Sequence, residues 1–258
     1  MADLLELQQL SEVIAREAGA VLLTRLHEVR TDVATKSSLT DMVSEVDRES
    51  EALIVSRILA ARPDDSILGE EGSERDGTSG VRWVIDPLDG TTNYLYRRGD
   101  FCVSIGVEVD GALAVGVVFD PSRDELFSAA RGHGATLNGS VIAVSHVTTL
   151  GQALTGTGFG YDKEVRRAQG QVAARIVPVV RDLRRAGSAA LDLCAVACGR
   201  LDAYYESGLN PWDMAGGRVI IEEAGGRTEF VDVPGERLTL VAANPVLWRQ
   251  LSARLRTT

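Results

Sequence analysis

The chain has 258 residues, of which 45% are hydrophobic and 25% are charged. This length and composition suit one large domain or two closely packed lobes, and they exclude a disordered tail or a lone small module. The formal charge of −10 argues against a general nucleic-acid binder, because phosphate backbones attract cationic surfaces. Its apolar stretches are shorter than a membrane span, its N-terminus lacks a signal-peptide pattern, and its three cysteines are too few for a disulfide framework. We therefore expect a cytoplasmic protein with no membrane partner.

The first 61 residues predict two amphipathic helices. Apolar residues recur at helical spacing between Leu7 and Leu22, which predicts a helix over roughly residues 4–30. A second helix is predicted over 46–61, with Pro63 closing it. The polar stretch 35–45 between them is expected to be a loop or a hairpin.

From Ser66 onward the hydrophobic pattern has a period of two, which predicts strands. Pro87 is expected to end the strand that begins at residue 81, because proline lacks a backbone donor. Asp110-Gly111 predicts a tight hairpin between 101–109 and 112–119. Further strands are predicted at 125–130 and 141–144, so this half should contain an antiparallel sheet.

After about residue 150 strands and helices alternate, a pattern typical of an α/β lobe. With no linker between the halves, we expect two lobes, 1–150 and 151–258, that share one interface and a cleft at their junction. In chain order the sequence predicts a strand at 153–158, a helix at 162–176, strand 176–180, helix 188–198, strand 202–206, a helix from Pro211, two short strands and a C-terminal helix from Pro245.

Acidic residues stand at the predicted strand ends and at one helix start. They are Glu70-Glu71, Asp86 with Asp89, and Asp213. The turn forced by Pro87 can aim Asp86, Asp89 and the Leu88 carbonyl toward one point. Ligands that are all oxygen favour hard cations such as Mg²⁺ or Mn²⁺ over zinc. Directly after them, Gly90-Thr91-Thr92 offers backbone N–H groups and hydroxyls of the kind that cradle a phosphate.

Each of these signals is weak when taken alone. The DPLDG segment by itself is more often a solvated turn, and Trp212-Asp213 by itself is more often a helix cap behind a core tryptophan. Other candidates favour structural interpretations: the cysteines read as core thiols, the three histidines lack metal-ligand spacing, and the serines lack a nucleophile elbow. The basic segment 184–187 could attract an anionic substrate or simply be solvated.

Four segments together resemble the inositol-monophosphatase family. They are GEEG at 69–72, WVIDPLDGTTNYLY at 83–96, GSAALDLCAVACGRLDAYYESG at 187–208 and NPWDMAGGRVIIEEAGG at 210–226. The similarity runs from about Lys36 to Asn244. It implies a fold of the α+β or α/β class, a layered αβαβα sandwich with an antiparallel-sheet lobe followed by an α/β lobe. One departure is Asp100, which stands where the family usually has proline.

The resemblance also implies a metal site with two or three Mg²⁺ ions, which Mn²⁺ could replace. Glu70, Asp86 and the Leu88 carbonyl would hold the first ion, and Asp86, Asp89 and Asp213 the second. Further roles are implied by position: water orientation by Asp47 and Thr91, lining of the metal site by Glu71 and Lys36, phosphate binding by Gly90 and Thr91, and contacts to substrate hydroxyls by Asp89, Ala189, Glu206 and Asp213.

By the same resemblance the chain is expected to be a phosphoric monoester hydrolase, in which a metal-activated water displaces the alcohol directly. myo-Inositol 1-phosphate is the leading substrate, because Glu206 matches a position that reads a sugar-alcohol hydroxyl. Histidinol phosphate and fructose 1,6-bisphosphate stay open as alternatives on the same fold. A non-catalytic regulatory or interaction protein is the alternative from another class. The resemblance further implies a homodimer and inhibition by lithium.

Overall fold

The computed structural model describes residues 3–28 and 39–257, and the chain begins with two long helices. Helix α1 spans Leu4–Glu28 and helix α2 spans Leu39–Ala61. The apolar face of α1 is buried, as at Leu7, Ile14 and Leu22. The helical spacing read from the sequence is thereby confirmed for α1.

Helix α2 begins earlier than the sequence pattern predicted. Residues 39–45, expected to be loop or hairpin, are the first turns of this helix, so that expectation is wrong. Once a helix is nucleated, each further residue adds one backbone hydrogen bond, so a helix can extend beyond the apolar pattern that identifies it. The remainder of the predicted loop, and Lys36 within it, lies outside the described residues.

The first half of the chain builds an eight-stranded sheet in the order β2-β1-β3-β4-β5-β6-β7-β8. Only β1 and β3 pair in parallel within it, and the other neighbours are antiparallel. The antiparallel lobe expected from the alternating pattern is therefore present. The strands are β1 Ser66–Gly69, β2 Glu74–Arg75, β3 Val81–Asp89, β4 Cys102–Val109, β5 Ala112–Asp120, β6 Glu125–Ala130, β7 Ala135–Leu137 and β8 Ser140–Val141.

Three local predictions in this sheet have different outcomes. The Asp110-Gly111 turn joins antiparallel β4 and β5, as predicted. Strand β3 does not end at Pro87 but continues to Asp89, and its register against β4 shifts between Asp86 and Asp89. Proline is tolerated there because a bulge needs no ladder donor from it. The strand predicted at 141–144 stops at Val141, since Val144 donates its N–H to the carbonyl of Ala224 instead.

The second half builds a five-stranded sheet in the order β10-β9-β11-β13-β12, in which β9 pairs in parallel with both β10 and β11. Its alternation of strands and helices is as predicted. Its elements are β9 Leu154–Thr157, α4 Lys163–Ile176, β10 Asp182–Arg184, α5 Ala189–Ala197, β11 Ala203–Ser207, α6 Pro211–Glu223, β12 Arg227–Val231, β13 Thr239–Ala243 and α7 Pro245–Arg256. The short helix α3, Thr91–Leu95, belongs to the first half and follows β3.

The strand predicted at 176–180 is wrong. Helix α4 ends at Ile176, a turn follows, and the strand is β10 instead. Within the segment Ile176 and Val180 are buried, whereas Val177 is 53% exposed. In a strand, residues two and four positions apart share one face, yet Pro178 between the two buried residues is exposed, so the burial follows a helical turn. A short run of apolar, β-branched residues in a sequence does not distinguish a strand from a helical segment.

The layers alternate as helices, sheet, helices, sheet, helices. Helices α1 and α2 cover one face of the first sheet, α5 and α6 pack between the two sheets, and α7 covers the outer face of the second, with α4 beside it. Each interlayer space holds its own cluster of buried apolar side chains. The fold is thus the predicted αβαβα sandwich. The lobe boundary at residue 150 stays a prediction.

Two broader expectations can be compared with the described residues. None of the helices there is long and apolar enough to cross a membrane. All three cysteines are free, with Cys102 and Cys194 buried and Cys198 half-buried. The interpretation of the cysteines as core thiols holds fully for the first two.

Candidate active site

A cleft of about 210 Å³ opens where the two halves of the chain meet. Segments from β3, α3, α5, β11 and α6 all reach it. Nine residues singled out from the sequence line this cleft: Glu70, Asp86, Leu88, Asp89, Gly90, Thr91, Ala189, Glu206 and Asp213.

The turn at the end of β3 places two aspartates on the cleft. The N–H of Leu88 donates to Asp86 Oδ1 over 3.1 Å, which folds the segment back on itself around Pro87. The Asp86 side chain is almost completely buried. The register shift against β4 falls in the same segment, so the backbone irregularity lies where the carboxylates are presented. Bulges often re-aim side chains in this way.

Gly90 turns the chain from β3 into helix α3. Its φ of 89° lies in the left-handed region, and a Cβ there would stand 2.6 Å from the carbonyl oxygen of Asp100. Both observations require glycine at this position. The Thr91 hydroxyl donates to the Leu88 carbonyl over 3.1 Å. The turn therefore holds a predicted metal ligand and the predicted phosphate-binding residues within one short loop.

Asp89 joins the two halves of the molecule. Its Oδ2 accepts hydrogen bonds from the Ser188 hydroxyl at 2.6 Å and from the Ala190 N–H at 2.7 Å. Ser188 also caps helix α5, since its hydroxyl oxygen accepts the N–H of Leu191. The start of α5 is thereby fixed against the turn after β3.

Asp213 lies in the first turn of α6, and its Oδ2 accepts the N–H of Asn210 over 2.6 Å. It completes a capping box that also involves the Asn210 side chain. Burial, opposed by this hydrogen bond, raises the pKa of Asp213 to about 7. Asp213 is thus both a helix cap and a cleft-lining carboxylate.

Glu206 stands on β11 and lines the same cleft. The Tyr204 hydroxyl donates to its Oε2. Burial raises the pKa of Glu206 to about 7, although the bond from Tyr204 opposes this. This carboxyl is therefore held by the Tyr204 hydroxyl in the cleft that Ala189 also lines.

Among the described residues that line the cleft, six are acidic and Arg185 is the one basic residue. Burial, and then the carboxylates of Glu70, Asp89 and Asp213, raise the pKa of Asp86 well above its usual range. Asp47, buried on α2, has its pKa raised to about 8 by burial and by Glu71 and Glu70. Removing such repulsion is what a bound cation does.

The donor set suits a hard cation, because every candidate ligand is an oxygen. In the described part of the chain, Asp47 Oδ1 is buried without a hydrogen-bond partner, which leaves an acceptor free beside the acidic groups. Within residues 3–28 and 39–257, no three His, Cys, Asp or Glu side chains are placed as a ready-made metal-binding group. Asp86, Asp89 and Asp213 each accept a hydrogen bond from a backbone N–H instead.

Other predicted residues lie beside the cleft or beyond the described chain. Asp47 and Glu71 do not line it, although the carboxyl of Glu71 contributes to the raised pKa of Asp47. Lys36 lies outside the described residues. Of the basic segment 184–187, Arg185 lines the cleft, whereas Arg184 pairs with Asp182.

The sequence reasoning did not assign a site role to three residues that the structure brings to the cleft region. Ser188 is a serine without a nucleophile elbow, and its contact with Asp89 joins two distant parts of the chain. Asp192, on α5, is a buried carboxyl in the cleft wall. Tyr161 is 81% exposed at the cleft, and its hydroxyl lies 3.4 Å from that of Thr92. The flanking GFGYD segment was the only local signal for Tyr161.

Comparison with known proteins gives concordant matches over nearly the full chain. The model of the inositol monophosphatase family matches residues 3–255. An inositol-1-monophosphatase from Mycobacterium bovis is 43% identical, with 96% of this chain and 93% of the relative covered. The Nus factor SuhB of Escherichia coli is 40% identical, with 94% and 92% covered. The solved structure of Mycobacterium tuberculosis SuhB has a TM-score of 0.86 at 41% identity and covers 99% of this chain and 98% of its own.

Proposed function

The chain belongs to the inositol monophosphatase family, and on this premise we propose that it is a Mg²⁺-dependent phosphatase that hydrolyses myo-inositol 1-phosphate. The observation that carries the proposal is the cleft in which Asp86, Asp89 and Asp213 meet the Gly90-Thr91 turn. A group of carboxylates beside a glycine turn that begins a helix suits a phosphate together with the cations that neutralise it.

The proposed ligands divide into two sets that share Asp86. Glu70, Asp86 and the Leu88 carbonyl would hold one ion, and Asp86, Asp89 and Asp213 would hold the second. Bound Mg²⁺ would supply charge neutralisation for the phosphate and a water of lowered pKa. The raised pKa of Asp86, caused by burial and neighbouring carboxylates, supports cation binding, because a cation favours the ionised form.

The residues of the chain would then position the reactants. The Gly90-Thr91 turn offers backbone N–H groups to the phosphate oxygens. Asp47, whose Oδ1 has no partner in the described part of the chain, would orient the attacking water together with Thr91. Phosphoryl transfer depends on positioning and charge stabilisation, so no protein nucleophile is required.

Residues from the second half of the chain would receive the alcohol. Glu206, held by Tyr204, lines the cleft together with Ala189 and would accept hydrogen bonds from the hydroxyls of a polyol. A buried polar group of this kind discriminates against substrates that leave it unpaired. This supports a polyol phosphate over a featureless ester.

A phosphate-release assay on a small panel of esters tests the proposal. The panel holds myo-inositol 1-phosphate, histidinol phosphate, fructose 1,6-bisphosphate and an aryl phosphate, each with saturating Mg²⁺ or Mn²⁺. We expect the highest kcat/KM for inositol phosphate and loss of all turnover with a chelator. A higher kcat/KM for another ester would identify that ester as the better substrate. If no ester were hydrolysed, the proposal of phosphatase activity would be wrong.

A second candidate is a regulatory or interaction role, and one observation favours it. A relative that is 40% identical carries the name Nus factor SuhB. A hydrolysis-deficient variant such as Asp89→Asn, produced at normal levels in cells that lack the wild-type chain, separates the two roles. If this variant restores the wild-type phenotype to cells that lack the gene, the cellular role of the chain does not depend on phosphate hydrolysis.

A further inference from the structure

Two polar residues on α2 are buried beside the cleft without lining it. Ser50 and Glu51 are respectively three and four residues after Asp47, so the three side chains share one face of the helix. Buried polar groups in native structures are paired. The partners of Ser50 and Glu51 therefore indicate what this face of α2 is for.

Glu51 binds the backbone of the loop that carries Glu70 and Glu71. Its Oε2 accepts the N–H of Glu71 at 2.9 Å, and its Oε1 accepts the N–H of Ser73 at 3.0 Å. Both oxygens of one carboxylate are thus used on one short loop. Such charge-assisted bonds are stronger than neutral ones and fix geometry as well as distance.

The start of the same loop is built to fit Glu51. The N–H of Gly69 donates to the Ser73 carbonyl at 2.7 Å, which closes the loop. A Cβ at Gly69 would collide with the Glu51 carboxylate. The carboxylate therefore packs directly against the backbone at the loop entrance, and any larger residue there would displace it.

Ser50 binds the other ligand-bearing segment. Its hydroxyl donates to the carbonyl of Pro87 at 3.0 Å, and both groups are buried. Pro87 stands between Asp86 and Leu88. Adjacent residues of one helix thus hold the two segments that carry the proposed ligands Glu70, Asp86 and Leu88.

We propose that Glu51 is a positioning residue for metal binding, which sets the Glu70-Glu71 loop against the turn at Pro87 that Ser50 holds. The inference rests on the proposed function. Neither side chain lines the cleft, and both contact the backbone of the ligand-bearing segments. Removal of a group that orients metal ligands typically lowers metal affinity by about 10- to 100-fold.

The main test is Glu51→Gln with the matched control Glu49→Gln on the same helix. The amide keeps one acceptor oxygen but turns an NH₂ group toward the second backbone N–H, so the paired contact is lost. Glu49 is exposed and pairs with Arg25 at the surface. The three proteins are compared by calorimetric Mg²⁺ titration without substrate, by the Mg²⁺ dependence of phosphate release, and by thermal unfolding with and without Mg²⁺.

We expect Glu51→Gln to bind Mg²⁺ roughly 10- to 100-fold more weakly, with kcat largely recovered at saturating Mg²⁺. The rise of Tm on addition of Mg²⁺ should shrink, while Glu49→Gln should match the wild-type chain. Unchanged Mg²⁺ affinity, with Tm lowered equally in the presence and absence of Mg²⁺, would mean a purely structural role and overturn the inference.

Two arrangements keep the test decisive. If Glu51→Gln does not fold, Ser50→Ala serves in its place, with weaker Mg²⁺ binding expected and unchanged binding overturning the inference. If the wild-type chain hydrolyses none of the esters tested, the calorimetric comparison still decides the role of Glu51. Failure of the proposed function is then distinguished from failure of this inference.

Discussion

At the scale of single residues, Asp89 has two tasks that one substitution can separate from folding. It faces the cleft and also accepts hydrogen bonds from Ser188 and Ala190 across the two halves. Asp89→Asn keeps the size of the side chain and removes its charge. We expect a folded protein whose kcat falls by about 10²-fold or more, which is a few kcal/mol of barrier.

The matched control is Asp124→Asn, an aspartate that is exposed and pairs with Arg16 at the surface. Circular dichroism should show the same fold for both variants, and phosphate release should fall only for Asp89→Asn. Near-normal turnover of folded Asp89→Asn at saturating Mg²⁺ would remove Asp89 from the proposed site.

Glu206 should affect which alcohol is accepted. Because Tyr204 holds its carboxyl in the cleft, Glu206→Gln should lower kcat/KM for inositol phosphate by about tenfold or more. Hydrolysis of an aryl phosphate, which offers no hydroxyl to Glu206, should change little. Equal losses on both esters would show that Glu206 supports the site in general and would refute the specificity argument.

A separate residue, Asp65, should control stability at acid pH. Arg62, Ser79 and Trp83 all donate to its buried carboxylate. Burial opposes the charge, yet these hydrogen bonds hold the pKa of Asp65 below its usual value. Asp65→Asn should therefore lower the free energy of unfolding at pH 7 by about 3 kcal/mol.

The pH dependence follows from the direction of this shift. Because the pKa of Asp65 is lowered in the folded state, its carboxylate stabilises the fold fully above the unfolded pKa, about 3.9. This stabilisation is lost as pH falls through the pKa of the folded state. We expect urea unfolding from pH 7 to pH 3 to give a difference in the free energy of unfolding between wild type and Asp65→Asn. This difference should shrink only below about pH 4. The exposed neighbour in Asp64→Asn is the control. A difference that does not change with pH would contradict the account.

At the scale of elements, helix α6 depends on Asp213 for its start as well as for the cleft. Asp213→Asn retains an oxygen that can accept the Asn210 N–H, whereas Asp213→Ala does not. We expect Asp213→Ala to lose about 1 kcal/mol of stability and Asp213→Asn to lose little. Both variants should lose turnover. Comparison of denaturant midpoints with kcat separates the capping role from the proposed ligand role, and an active Asp213→Asn would remove the latter.

At the scale of the whole molecule, the acidic cleft should couple cation binding to stability. A ligand that binds only the folded chain raises the free energy of unfolding by about 2.7 kcal/mol when its free concentration is 100 times its Kd. For a protein of this size that corresponds to a rise in Tm of roughly 5 to 10 °C. Thermal unfolding with Mg²⁺, with chelator and with NaCl at matched ionic strength measures it. An equal rise with NaCl would show only screening of the net charge of −10.

The homodimer and the inhibition by lithium implied by the family resemblance both stay predictions. Sedimentation of the purified chain at micromolar concentration measures the first, and a monomer would contradict it. Lithium titration of phosphate release at saturating Mg²⁺ measures the second.

The sequence by itself determined the features that depend on local pattern. The alternating strands, the Asp110-Gly111 hairpin and the helix from Pro211 follow from periodicity and turn chemistry that neighbouring residues carry. The order of the layers followed from the resemblance of four segments. The placement of Asp86, Asp89 and Asp213 around one cleft was expected on the same ground.

Only the tertiary structure decided what distant residues do to one another. The contact of Asp89 with Ser188 joins positions 99 residues apart, and Glu51 meets the loop at Glu71 from another element. The turn at 176–180 was decided by packing, which buries Ile176 and Val180 and leaves Val177 exposed. Such hydrogen bonds and packing choices leave no periodic trace in the chain, because they depend on how separate elements meet and not on the residues next in sequence.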